Sequence, residues 1–124
     1  MRNGEEEVQK SVVNYLKYKY PKIRYCASLG GIRTSYKQAV KAKATGYVKG
    51  FPDLQVCVPM ERGGTKGGVY HGLFLEIKKD KKSYPTKEQK EWVEYLNEQG
   101  YCARVVKGID EAIETIDNYF NKTI

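Results

Sequence analysis

The sequence is poor in the residues that hold transition metals. It has one histidine, His71, and three cysteines, Cys26, Cys57 and Cys102, none of them in a C-x-x-C pair. A structural zinc site draws about four such ligands from clustered positions, so zinc fingers and ribbons are excluded. The cysteine count is odd and each cysteine falls in a segment that reads as strand, which predicts buried free thiols. His71 has no Ser or Cys partner and reads as a solvent-facing strand residue. No apolar run is long enough to span a membrane. The stretch from Met1 to Glu7 lacks the apolar core of a signal peptide. A cytoplasmic location with no membrane partner is therefore the expectation.

What is present is charge of one sign. The 124 residues carry 22 Lys and Arg against 15 Asp and Glu, a net charge of +7. The length predicts one domain spanning 1–124. A basic balance favours a polyanionic partner. Arg33, Lys37 and Lys41 recur every four residues, one stripe of a helix. Lys78, Lys79, Lys81, Lys82, Lys87 and Lys90 crowd a second region. Either group alone reads as a solvated face; together, around an acidic pocket, they favour phosphate binding.

The hydrophobic pattern gives the element order. Val8, Val12, Leu16 and Tyr20 mark the buried side of a helix from Gly4 to Lys19. Glu5 and Gln9 extend the same stripe and should point inward. A strand follows over Ile23–Ser28, then a helix over Thr34–Ala44 with a thin apolar face, capped by Thr34 or Ser35. Asp53–Val58 and Val69–Lys78 read as strands, separated by the turn signal Gly63-Gly64-Thr65-Lys66-Gly67-Gly68. Thr86-Lys87-Glu88-Gln89 opens a third helix with a capping-box pattern. Trp92, Val93 and Leu96 supply its core face and Gly100 ends it. Tyr101–Val106 is a strand, and Asp110 is placed to cap a last helix with Ala112, Ile113, Ile116 and Phe120 inward. Most of the eleven tyrosines are expected in the core or half-buried. The order α-β-α-β-β-α-β-α predicts an α/β fold, a mixed central sheet flanked by helices.

The most informative residues lie at the two ends of the predicted hairpin. Gly50-Phe51-Pro52-Asp53 opens the first strand and Glu76-Ile77-Lys78 closes the second. The midpoints of the spans from 53 to 76 and from 53 to 78 both fall inside the glycine cluster, so pairing about that loop sets Asp53 beside Glu76 and Lys78. Alternation puts Glu76 and Lys78 on one face and Ile77 on the other. Singly these residues have ordinary explanations: Asp53 ends a turn, Lys78 pairs with Glu76, Gln89 completes a helix cap, and Gln9 is a surface amide. A carboxylate at the end of the apolar strand Leu73-Phe74-Leu75 nevertheless needs a partner if buried.

The ordered set resembles the PD-(D/E)xK nuclease superfamily, and within it the virus-type replication–repair nuclease (VRR-NUC) domain. Glu5 with Gln9 resembles the first-helix acid and glutamine; Glu5, Glu6 and Glu7 are consecutive, and the inward stripe favours Glu5. Gly50-Phe51-Pro52-Asp53 matches the G-x-P-D turn and Leu75-Glu76-Ile77-Lys78 the E-x-K strand. Gln89, Trp92, Leu96 and Gly100 resemble the helix that follows. The similarity spans nearly the whole chain.

That resemblance implies a restriction-endonuclease-like core and a metal-dependent DNA endonuclease. Asp53 and Glu76 would hold Mg²⁺ or Mn²⁺ with the Ile77 backbone carbonyl, and Glu5 would complete the shell or support a second metal. Lys78 would act as a base or as an electrostatic stabiliser, with Gln9 and Gln89 in support. The partner implied is branched DNA, Holliday junctions first, cut by a homodimer of viral kind. Two rivals stand beside it: a catalytically inactive nucleic-acid-binding module, and a sequence-specific restriction-type endonuclease.

Overall fold

The computed structural model describes residues 4–28, 35–65 and 67–124. Helix α1 spans Glu5–Lys19, with Glu5, Glu6 and Glu7 in its first turn and Lys17 and Lys19 in its last. That polarity complements the helix dipole at both ends. Strand β1 is Tyr25–Ala27 and helix α2 is Tyr36–Ala44. Ser35 caps α2 in a reciprocal box with Gln38; Thr34, the other candidate cap, lies outside the described residues. Then come β2 (Leu54–Val56), β3 (Met60–Glu61), β4 (Val69–Tyr70), β5 (Leu73–Lys78), α3 (Lys87–Glu98), β6 (Cys102–Lys107) and α4 (Ile109–Phe120).

The main sheet has the order β1-β2-β5-β6. Its first three strands pair antiparallel, and β5 pairs parallel with β6. A parallel pair needs a crossover, and α3 supplies it. Leu73, Leu75 and Ile77 of β5 pack into the larger core with Val12 and Leu16 of α1 and Ile116 and Tyr119 of α4. Phe74 of β5 and Ala103 of β6 pack with Leu96 of α3. Helices thus cover both faces of a mixed sheet, and β5 is buried at every position.

The hairpin is not one continuous ladder. Leu54 faces Leu75 and Val56 faces Leu73, but Met60 faces Tyr70 and Glu61 faces Val69. The two registers differ by one residue, and β3-β4 forms a separate small sheet. His71 and Gly72 interrupt the expected long strand, so His71 lies at the bend, exposed, with its ring edge-on to Tyr101.

Other expectations need correction. Only Cys102 is buried; Cys26 and Cys57 are exposed, because one lies on the edge strand β1 and the other just past the end of β2. Asp110 does not cap α4. Gly108 holds that position with φ 97°, and its N–H donates to the Lys78 carbonyl. The tyrosines agree with expectation: Tyr15, Tyr20, Tyr25, Tyr70, Tyr101 and Tyr119 are buried or half-buried, and Tyr18, Tyr36, Tyr47, Tyr84 and Tyr95 are exposed.

Candidate active site at the end of the central strand

The site is built where β5 runs past the end of β2. The Gly72 and Lys78 carbonyls accept hydrogen bonds from the Cys102 and Gly108 N–H groups, at 2.8 and 2.9 Å. Even-numbered residues of β5 therefore turn their amide groups toward β6, and odd-numbered ones toward β2. Leu75 meets Leu54 there. One step further, the same register sets Asp53 opposite Glu76 and Pro52 opposite Ile77. Proline has no N–H to give, so the ladder stops. The Ile77 N–H donates to Asp53 Oδ2 instead, at 2.7 Å. The Ile77 carbonyl points the same way and meets no ladder donor at Pro52.

Gly50 makes this turn possible. Its φ is 94°, and a Cβ there would lie 2.7 Å from the backbone of Glu88. Only glycine fits the conformation and the space together. The Gly50–Asp53 segment is thereby pressed onto the first turn of α3, and Phe51 packs edge-on against Phe74 and Trp92.

The side chains gather around Lys78, which is fully buried. Its Nζ lies 3.9 Å from Glu5 Oε2 and 4.0 Å from Glu76 Oε2. Glu5 is buried whereas Glu6 and Glu7 are exposed, as the inward stripe on α1 predicts. Three buried polar atoms find no hydrogen-bond partner: Gln9 Oε1, Glu76 Oε1 and Lys78 Nζ. Each such group costs about 1–3 kcal/mol. Burial, the neighbouring Asp53 carboxylate and Glu5 push the Glu76 carboxyl up to about 9, against the opposing pull of Lys78.

Asp53 and Glu76 thus form a close acidic pair, with Glu5 joined to it through Lys78. Among the described residues no three acids, histidines or cysteines form a ready-made metal cage. The candidate oxygens are two neighbouring carboxylates, one with an unpartnered atom, and the Ile77 carbonyl, which meets no N–H at Pro52. An all-oxygen set of this kind suits a hard divalent cation rather than zinc or copper.

The remaining candidates separate. Gln89 accepts from the Thr86 N–H at 2.8 Å while its own N–H donates to Thr86 Oγ1, so its side chain serves the α3 cap. Lys37 and Lys41 are exposed on α2, which buries none of its residues. Lys79, Lys81 and Lys82 are exposed just past β5. Arg33 lies outside the described residues. Sequence reasoning missed the bond from the Ile77 N–H to Asp53; Pro52 signals only that the carbonyl of the strand residue opposite it lacks a ladder donor.

No protein-family model matches the chain, and no curated protein matches it. Solved structures do. A "VRR_NUC domain protein" is 36% identical over 99% of this chain and 93% of its own, with a TM-score of 0.73. A "VRR_NUC domain" at 23% identity covers 96% of this chain and 100% of its own, with a TM-score of 0.56, and shares the fold. No helix among the described residues is long and apolar enough to cross a membrane. With its identity to the first of these over nearly the full length, the chain belongs to the VRR-NUC domain family, a nuclease-type domain on an α/β core.

Proposed function

We propose that the protein is a divalent-metal-dependent DNA endonuclease that hydrolyses phosphodiester bonds in structured DNA, with the Holliday junction its leading substrate. The observation that carries this reading is the set of buried, unpartnered atoms on Glu76, Lys78 and Gln9 beside the Asp53 carboxylate. A fold gains nothing from leaving such groups dry and unpaired. A site that takes up a cation, a water and a phosphate accounts for all of them.

Asp53, Glu76 and the Ile77 carbonyl would hold Mg²⁺ or Mn²⁺, and Glu5 would support that shell across Lys78. The cation, when bound, supplies charge neutralisation at the phosphate and a more acidic water. Lys78 orients the attacking water and offsets the negative charge that grows on phosphorus oxygens as the bond breaks. Gln9 offers its unpartnered carbonyl oxygen to a water at the inner end of the site. Lys37, Lys41, Lys79, Lys81 and Lys82, with Arg33, contact the phosphate backbone. A symmetric junction suits a homodimer, in which two sites cut two strands.

The test is cleavage of labelled four-way junction, flap, single-stranded and linear duplex DNA with Mg²⁺ or Mn²⁺. Metal-dependent paired cuts in the junction are expected, with losses of at least about a hundredfold in Asp53→Ala and Lys78→Ala. Binding of these DNAs without cleavage in either metal would overturn the reading and leave a binding module.

A further inference from the structure

Two adjoining hollows, of about 480 and 300 Å³, lie between the segment 46–52 and helix α3. They share Val48 and Trp92, so they form one open groove. Its surfaces are flat and aromatic. Trp92 stands edge-on to Phe51 at 5.0 Å and to Tyr95 at 5.8 Å. Tyr95 and Val48 are about half exposed, at 53% and 54%, and Tyr47 at 36%.

The groove lies beside the turn that carries Asp53, since Phe51 lines it. Phe51 is two residues before Asp53 and packs on Phe74, which is two residues before Glu76 on the same face of β5. Ser28, at its other edge, donates its N–H to the Asp53 carbonyl at 2.9 Å. The rim is charged. Lys49 is 77% exposed at its side chain and pairs with Glu88 at 3.7 Å, and Glu91 stands beside it. An aromatic floor beside an exposed ammonium that can meet a phosphate matches one kind of occupant.

We propose that this groove takes an unstacked nucleobase of the strand whose phosphodiester is cut. Bases stack on aromatic side chains whatever their identity, and the hollow has the dimensions of a small-molecule site. The inference rests on the nuclease reading above and sharpens it. The enzyme would select DNA that can present an unpaired nucleotide beside the scissile phosphate, which a junction or flap does more readily than a linear duplex.

Trp92 is the only tryptophan, so its fluorescence reports on the groove alone. The experiment titrates the intact protein, without divalent metal, with a short oligothymidylate and with an abasic oligomer of equal length. The expected result is quenching by oligothymidylate and at least about tenfold weaker binding of the abasic oligomer. Tyr95→Ala and Tyr47→Ala, at exposed positions, should weaken oligothymidylate binding several-fold without moving Tm. Equal binding of both oligomers with unchanged fluorescence overturns the proposal. So does a Tyr95→Ala protein that sediments as a smaller species than wild type, which would mean that a second copy covers the groove. Cleavage of junctions with no quenching removes the groove and leaves the nuclease; quenching with no cleavage does the reverse.

Discussion

Lys78 shows at the scale of one residue why this site is not ordinary packing. Its side chain is fully buried, its two carboxylate neighbours sit at 3.9 and 4.0 Å, and its ammonium makes no hydrogen bond. A buried pair chosen for stability would be closer and fully bonded. Asp53 differs again: one of its oxygens is spent on the Ile77 N–H, which fixes the carboxylate against the strand. Gly50 holds that aspartate in place, because its left-handed backbone and its contact with Glu88 leave no room for a side chain. Gly50→Ala is expected to lower stability by more than about 2 kcal/mol, read by urea denaturation. Retention of wild-type stability would mean the turn and α3 separate at little cost.

At the scale of elements, much of the site was legible beforehand because strand geometry is strict. A one-residue slip would turn every side chain of β5 over, so the apolar pattern of Leu73, Leu75 and Ile77 fixed which face Glu76 and Lys78 occupy. The hairpin register about the glycine cluster followed from residue spacing. What was not legible depends on distant partners. Nothing in Cys26 or Cys57 says that its strand is short or at an edge. The break at His71 and Gly72 arises from a change of register in the turn, which periodicity does not record. Tyr47 and Tyr95 look like core residues until α3 and the segment before Phe51 leave them at the surface.

The packing of α1 on α4 was equally hidden. Asp117 accepts from Tyr15 at 2.6 and 2.7 Å, from Tyr20 at 2.7 Å and from Lys19 at 3.1 Å. Burial pushes its carboxyl up, but those hydrogen bonds together outweigh burial and hold it below its ordinary value. Its contribution is therefore complete above the ordinary carboxylate range and lost as pH falls through and below it. Asp117→Ala is expected to cost about 2–3 kcal/mol, since the two tyrosine hydroxyls lose a charged acceptor while the exposed lysine pair adds little. Urea denaturation measures this. A loss below about half a kcal/mol would show that α1 and α4 are held by apolar contact alone.

Across the whole molecule, the site ties stability to pH. Glu76 is pushed from 4.5 to about 9 in the metal-free protein. Between those values the folded state keeps a proton that the unfolded chain has lost, so stability falls as pH rises through that window. On the proposed function, a bound cation would take the place of that proton, and its affinity would rise with pH. The fold thus carries a cluster of buried polar atoms without hydrogen-bond partners, which a bound cation would relieve. The most direct measurement is the Tm of wild type and Glu76→Gln at mildly alkaline pH, with and without Mn²⁺. The metal should raise the wild-type Tm. Without metal, Glu76→Gln should gain on the order of 1–2 kcal/mol, melting roughly 3–10 °C above wild type, and Mn²⁺ should no longer shift it. A Glu76→Gln protein that melts well below wild type, or that keeps the Mn²⁺ shift, would contradict the claim that Glu76 is buried there to hold a cation.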